Sequence, residues 1–171
     1  MIICFSGTGN TLSVARRLAR CLDDEVTVVD LRMLLDAPCA DSYAGSRSRV
    51  VWMFPVYAWG LPGIMERLIE TVSARAFGEA THWMVATCGD DVGLTPKLWR
   101  KAMAARGFHA AAAFSVTMPN TYVFLPGFNF DSPEVASGKR NRMEPRVDSI
   151  AARISGSELT GEIPADDVVP G

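Results

Sequence analysis

The order of apolar segments along the chain is the feature that most constrains its fold. Five short segments are rich in apolar residues, as expected for strands buried on both faces of a sheet. They are residues 1–5, 25–30, 50–54, 82–87 and 110–118. Between most of them, apolar residues recur at intervals of three and four, which is typical of amphipathic helices. Strands that alternate with helices predict an α/β fold with a doubly wound parallel sheet.

Proline and glycine positions mark the expected helix ends. Pro62 is suited to the first turn of one helix, where proline is favoured. Thr95 precedes Pro96 and is predicted to cap the next helix, which Gly107 is predicted to follow. The last helix is predicted from an apolar stripe over residues 147–154.

Composition and charge exclude several classes of protein. The chain has 171 residues, of which 49% are hydrophobic and 21% charged, so we expect a folded domain at 1–156 and a flexible acidic tail at 157–171. The net charge of −2 lacks the basic excess of a nucleic-acid-binding protein. The uncharged run at 50–65 is too short for a membrane span, and no signal peptide is visible, which predicts a cytoplasmic location.

The cysteines and histidines show no metal-binding pattern. The four cysteines include no C-x-x-C pair, which argues against a zinc site or an iron–sulfur cluster. We expect reduced, mostly buried thiols. His82 and His109 each begin an apolar segment, at the end of a strand remote from the ligand edge, and we interpret both as structural.

The loop after the first strand has the features of an anion site. Ligands of open α/β sheets bind beyond the carboxyl ends of the strands. Glycines there allow close backbone approach, and a helix N-terminus follows. The loop has neither the Gly-Lys-[Ser/Thr] of a Walker loop nor the third glycine of a dinucleotide fingerprint. Two interpretations remain: a monophosphate held by amides and hydroxyls, or a polar capping turn without a ligand.

Three further loops follow strands at the same predicted edge. Tyr57 and Trp59 alternate after the third strand, and they either flank a flat heterocycle or are ordinary aromatic residues. The sequence TCGDDVG follows the fourth strand, and its amides are suited to the polar edge of a ring. Asp90 and Asp91 in it are interpreted as solvated loop acids. The segment 119–132 after the fifth strand is unusually aromatic for a solvent loop.

Together, these four loops resemble those of the flavodoxin superfamily. FSGTGNT is similar to its [Ser/Thr]-x-Thr-Gly-x-Thr phosphate loop. FPVYAWGLP and TCGDDVG are similar to its two flavin loops, and MPNTY to a segment of flavodoxin domains fused to ferredoxins. The resemblance covers residues 1 to about 154. It implies a flavodoxin-like five-stranded sheet of order 2-1-3-4-5 that binds flavin mononucleotide (FMN) at its switch point.

The resemblance also implies which residues contact FMN. Those implied to hold the phosphate are Ser6, Thr8, Asn10 and Thr11, with the amides of Gly7 and Gly9. Those implied to border the isoalloxazine ring are Pro55, Val56, Tyr57, Ala58, Trp59, Gly60, Thr87, Cys88 and Gly89, with Asn120 and Tyr122 closing the site. A peptide near Trp59 and Gly60 is implied to hydrogen-bond flavin N5.

Three functions remain open on the sequence. The first is an FMN-binding redox protein, monomer or homodimer, that transfers electrons to or from a reductase or ferredoxin-type partner. Typical electron-carrier flavodoxins are strongly acidic, whereas this chain has a net charge of only −2. The second is an FMN-dependent NAD(P)H:quinone-type oxidoreductase with a small acceptor, because residues 88–93 lack the aromatic side chain that stacks on the flavin in typical flavodoxins. The third is a non-redox module with the same fold. No nucleic-acid or membrane partner is expected.

Overall fold

The computed structural model describes residues 1–30, 48–72, 77, 79–122 and 129–156. Five parallel strands form one sheet in the order β2-β1-β3-β4-β5, as the resemblance implied. The strands are β1 (Ile2–Cys4), β2 (Val26–Val28), β3 (Arg49–Pro55), β4 (Thr81–Cys88) and β5 (His109–Thr117). The predicted acidic tail at 157–171 and residues 123–128 of the aromatic segment lie outside the described residues.

Helices cover both faces of this sheet, which confirms the doubly wound arrangement. The described helices are α1 (Asn10–Leu22), α2 (Gly63–Thr71), α3 (Thr95–Ala105) and α4 (Pro133–Ser155). Alternate residues of β3 enter the two cores. Trp52 packs into the core with the apolar side chains of α2 and α3, whereas Met53 packs into the core with those of α1 and α4. The prediction of strands buried on both faces is therefore confirmed for β3.

The first two strands are shorter than their apolar segments. β1 ends at Cys4 and β2 at Val28, although Phe5 and Val29 continue the segments. Val29 remains buried, and the Phe5 amide donates to the carbonyl of Met53 (2.9 Å). Burial thus continues beyond the regular strand pairing, so the apolar pattern overestimates strand length.

The last helix is longer than its apolar stripe, and one predicted helix cap is wrong. α4 begins at Pro133, where the Ser132 hydroxyl accepts a hydrogen bond from the amide of Val135 (3.3 Å), well before the apolar stripe at 147–154. Its first half is mostly polar and exposed and carries no such stripe. Thr95 is the first residue of α3 rather than its cap, because the capping position belongs to Leu94. Thr95 is buried instead, since its side chain faces the core.

The two histidines lie at the amino ends of their strands, as predicted. His82 is buried, and its Nδ1 accepts a hydrogen bond from Trp52 Nε1 (3.0 Å). The rings of Phe77 and Phe108 pack against it. Burial is the main reason that the His82 pKa falls to about 4, with a smaller contribution from His109. His82 is therefore a neutral core residue at the edge of the sheet opposite the ligand loops.

The described cysteines differ in exposure. Cys4 and Cys88 are buried free thiols, whereas Cys21 is exposed. Burial raises the pKa of Cys4 to about 12, so this thiol stays protonated at neutral pH. None of the described helices is both long enough and apolar enough to cross a membrane.

Candidate functional site

Hydrogen bonds join the loops at the carboxyl edge of the sheet. The hydroxyls of Thr11 and Thr87 lie 2.7 Å apart and connect the first loop to the end of β4. The Val56 amide donates to the Thr87 carbonyl (2.8 Å), and the Asn10 side-chain amide donates to the Pro119 carbonyl (2.9 Å). The structure therefore brings together all four loops that the sequence analysis selected.

The first loop presents backbone donors at the start of α1. Gly9 occupies the capping position with a φ of 95°, a conformation that favours glycine. The Ser6 hydroxyl accepts hydrogen bonds from the amides of Gly9 (3.2 Å) and Leu12 (3.1 Å). Helix geometry leaves the first amides without intrahelical acceptors. The amides of Asn10 and Thr11 are therefore suited to hold an anion.

The side chains of this loop divide between the surface and the interior. Thr8 is exposed, and its hydroxyl lies 3.4 Å from that of Thr121. Thr11 is buried against Thr87, and Asn10 binds the fifth loop. Thr8 is thus the hydroxyl most open to a ligand, whereas Asn10 and Thr11 also hold neighbouring loops in place.

The third loop is a tight turn with a strained backbone. Tyr57 and Gly60 exchange two backbone hydrogen bonds (3.1 and 2.9 Å). The two residues between them, Ala58 and Trp59, have φ values of 47° and 58°, which non-glycine residues rarely adopt. Such strain is concentrated at functional sites in proteins. The turn leaves Tyr57 46% and Trp59 55% exposed at the site.

Two glycines provide the space that these aromatic residues occupy. A Cβ atom on Gly7 would collide with the Tyr57 hydroxyl, and the Tyr57 ring also makes an edge contact with Phe5. A Cβ atom on Gly93 would lie 2.5 Å from Cβ and 2.7 Å from Cδ1 of Trp59. The positions of both aromatic side chains therefore depend on glycines in neighbouring loops.

The fourth and fifth loops contact each other beside this turn. A Cβ atom on Gly89 would lie 3.3 Å from the Asn120 side chain, so the two loops are close. Asn120 Oδ1 accepts a hydrogen bond from the amide of Tyr122 (3.0 Å), whose side chain is 43% exposed. Burial, with the charges of Asp91 and Asp90, raises the Cys88 pKa to about 11. The Cys88 thiol is therefore a neutral part of the wall and not a nucleophile.

Sequence reasoning missed two charged residues that organise these loops, Lys139 and Asp131. Lys139 of α4 is buried, and its Nζ lies 2.8 Å from Asp131 and 3.3 Å from Asp90. The interpretation of Asp90 as simply solvated is therefore incomplete, although its side chain is 82% exposed. A lysine within a charged helix carries no sequence signal, because only the fold brings it to the loops.

The buried pair of threonines leads to a stability prediction. Thr11→Val keeps the side-chain shape but removes one partner of the Thr87 hydroxyl. The variant is expected to lose about 1–3 kcal/mol of unfolding free energy in urea denaturation, since a buried polar group then lacks its bond. Thr8→Val is the control, because its hydroxyl is exposed, and we expect a change within about 0.5 kcal/mol. Equal losses in the two variants would contradict the buried hydrogen bond.

The residues at this edge suit a ligand with two different parts. Amides at the start of α1, with the hydroxyls of Ser6 and Thr8, suit a phosphate held without a cation. The exposed rings of Tyr57 and Trp59 suit a flat aromatic group. We call the loop at the start of α1 the phosphate half of the site, and the Tyr57–Gly60 turn with its neighbouring loops the ring half. The hydrogen bond between Thr11 and Thr87 connects the two halves.

Comparisons with known proteins establish the fold. No protein-family model and no curated protein sequence matches the chain. Among solved structures, it is similar to a Fusobacterium nucleatum flavodoxin bound to flavin mononucleotide (10% identity, 92% of this chain and 97% of that one, TM-score 0.57). It is also similar to the apo form of an NADH:FMN oxidoreductase, EMOB (16% identity, 96% and 97%, TM-score 0.53). The chain has the flavodoxin-like fold.

The chain spans 35% of the rubredoxin oxygen:oxidoreductase from Desulfovibrio gigas, with 89% of its own length covered, 13% identity and a TM-score of 0.48.

Proposed function

We propose that this protein binds FMN at the carboxyl edge of its sheet and transfers electrons between FMN and a protein partner. This proposal rests on the proximity of the α1 N-terminus to the exposed Tyr57–Gly60 turn. The first suits the phosphate of FMN, and the second suits its flavin ring. The flavin, when bound, supplies electron transfer at its ring system, and the protein binds, orients and shields it.

Each half of the site has a distinct part in binding. The phosphate is held by the hydroxyls of Ser6 and Thr8 and by amides of residues 7–11. Tyr57, Trp59 and Tyr122 border the ring, and the peptide near Trp59–Gly60 is the proposed hydrogen-bonding group for flavin N5. Residues Thr87, Cys88, Gly89 and Asn120 complete the wall on the remaining side.

A mixed apolar and cationic face beside the ring half is the proposed docking surface for the partner. Trp59, Leu94 and Leu98 are exposed, and they adjoin one another. The Leu94 amide donates to the Trp59 carbonyl (3.0 Å), and Leu98 lies against Gly60. The exposed Lys97 and Lys101 share the Leu98 face of α3, as the helical period requires.

The charges on this helix favour an acidic partner. α3 contains three cations and no acidic residue, and Lys97 lies in its first turn, where the helix dipole disfavours a positive charge. Asp91 is the nearest exposed acid in sequence, and its carboxylate is engaged by the Gly93 amide (3.1 Å). The proposed partner is therefore an acidic reductase or ferredoxin-type protein.

Charge reversal on α3 tests this docking surface. Lys97→Glu with Lys101→Glu is expected to slow electron transfer with an acidic ferredoxin about tenfold at low salt, since steering charges act on association. The effect should shrink at high ionic strength. Arg16→Glu with Arg20→Glu makes the same charge change on α1, on the other face of the sheet, and serves as the control. Equal slowing by both pairs would contradict docking at α3.

A second function is favoured by the composition of the fourth loop. Residues 88–93 contain no aromatic side chain that could stack on a flavin, which favours access of a small substrate from this side. The alternative is therefore an FMN-dependent NAD(P)H:quinone-type oxidoreductase.

One experiment separates the two functions. The FMN-loaded protein is mixed anaerobically with NADH or NADPH and a quinone, and nicotinamide absorbance is followed against free FMN. A carrier is expected to show no turnover above that background while still exchanging electrons with an acidic ferredoxin. Rapid nicotinamide oxidation would support the oxidoreductase.

A further inference from the structure

The ammonium of Lys139 is buried beside the fourth and fifth loops. The Lys139 side chain projects from the second turn of α4 and is only 6% exposed. Its ammonium contacts Asp131, which is 13% exposed, and Asp90, which is 82% exposed. The fold thus buries most of this side chain and places its ammonium between two acids from different segments.

Through these acids, Lys139 is connected to both loops that border the ring. Asp131 Oδ2 also accepts a hydrogen bond from the backbone amide of Asn120 (2.9 Å), so it holds the start of the fifth loop. Asp90 belongs to the fourth loop and directly follows Gly89, which lies against the Asn120 side chain. One ammonium group therefore restrains two segments that already touch each other.

The burial of this ammonium has an energetic cost that its two acidic partners must offset. Removing a charge from water is costly unless paired geometry and hydrogen bonds offset the cost, and apolar residues often pack such a position at least as well. Burial alone would lower the Lys139 pKa. The hydrogen bonds to Asp131 and Asp90 outweigh burial and raise it, so the cation persists at neutral pH.

We propose that Lys139 is a positioning residue for flavin binding, which fixes the segments 88–90 and 120–122 in one preformed arrangement beside the ring. This inference rests on the proposed function. Without the ammonium, the two loops would have to be ordered when the ligand binds, and that ordering would reduce affinity. Lys139 acts through Asp131 and Asp90 and is not assigned a contact with the flavin.

Two variants and one control test this role. Lys139→Met removes the cation but leaves Asp131 partly buried without its partner, which is expected to destabilise the fold. Lys139→Met with Asp131→Asn removes both charges and keeps the fold measurable. Arg17→Met is the control, because it breaks the two hydrogen bonds that join α1 to Asp148 (2.9 and 2.7 Å) towards the other end of α4.

Two readouts are needed, one of them independent of FMN. In the protein without ligand, both Lys139 variants are expected to increase amide hydrogen exchange about tenfold at residues 88–90 and 120–122, which corresponds to a local opening free energy lowered by about 1.4 kcal/mol. They are also expected to weaken FMN binding about tenfold. Arg17→Met should change neither quantity more than about twofold at these residues.

The outcomes distinguish this inference from the proposed function. Unchanged exchange at both segments in the double variant, or an equal increase in Arg17→Met, would overturn the positioning role. Increased exchange with unchanged FMN affinity would overturn it as well, because the loops would then not need preforming. If the parent protein binds no FMN, the proposed function fails, and amide exchange alone still decides whether Lys139 holds the two loops.

Discussion

Replacement of Gly93 by alanine is expected to lower the free energy of unfolding by about 3 kcal/mol and to displace the Trp59 side chain. Gly93 has a φ of 53°, which costs an alanine roughly 1–2 kcal/mol. The added Cβ would also lie 2.5 Å from Cβ of Trp59, and forcing atoms into such a space costs roughly 1–3 kcal/mol more. Because Trp59 borders the ring half, FMN affinity should fall in the same variant.

Gly107 provides a matched control for this substitution. Its φ is 74°, but a Cβ atom there would have no neighbour within 4 Å. Gly107→Ala is therefore expected to lose only the backbone contribution of about 1–2 kcal/mol and to bind FMN as the parent does. Urea denaturation and FMN titration of both variants measure the difference. Equal losses of stability would show that Gly93 does not support Trp59.

Acidification is expected to destabilise the fold through His82. The folded-state pKa is about 4, whereas an unfolded histidine titrates near 6.5. Below pH 6.5 the unfolded chain binds the proton more readily than the folded chain does. The free energy of unfolding therefore falls as the pH drops from 6.5 to about 4. The stabilisation from neutral His82 is present in full only above pH 6.5. The loss from this one group is of order 3 kcal/mol. Protonation would also remove the acceptor of the Trp52 hydrogen bond.

The pH dependence, rather than the absolute stability, identifies the responsible group. Urea denaturation is measured at several pH values between 7 and 4 for the parent, His82→Phe and His109→Gln. His82→Phe is expected to lose markedly less stability on acidification, since its side chain no longer titrates. His109 supplies only the smaller part of the lowering of the His82 pKa, so His109→Gln should reduce the parental slope only slightly. A parental slope in His82→Phe would assign the acid sensitivity to other groups.

The parallel sheet was predictable because strand burial leaves a direct trace in sequence. The VVWMF segment of β3 is apolar at every position, as both faces are covered by helices. The order of the strands came from the resemblance of four loops, which the topology confirms. The start of α4 was missed because its first half lies at the surface, where the hydrophobic pattern that marks a helix is absent.

The candidate site was predictable as a set of loops but not as a network. Adjacent residues such as Gly9 and Asn10 share one local structure, and their pattern is visible in the sequence. The contacts Thr11–Thr87 and Asp90–Lys139 join residues that are remote in the chain. Only the three-dimensional fold brings them together. Gly93 was visible within TCGDDVG, yet its role depends on Trp59 from a different loop.

A titration of the purified protein with FMN, followed by flavin fluorescence, tests the proposed site directly when a parallel titration with riboflavin is run beside it. We expect saturable binding of one FMN per chain, with riboflavin at least about tenfold weaker because it lacks the phosphate proposed to bind at the α1 N-terminus. Absence of saturable FMN binding would contradict the proposed function. Equal affinity for the two flavins would contradict the phosphate site at residues 6–11.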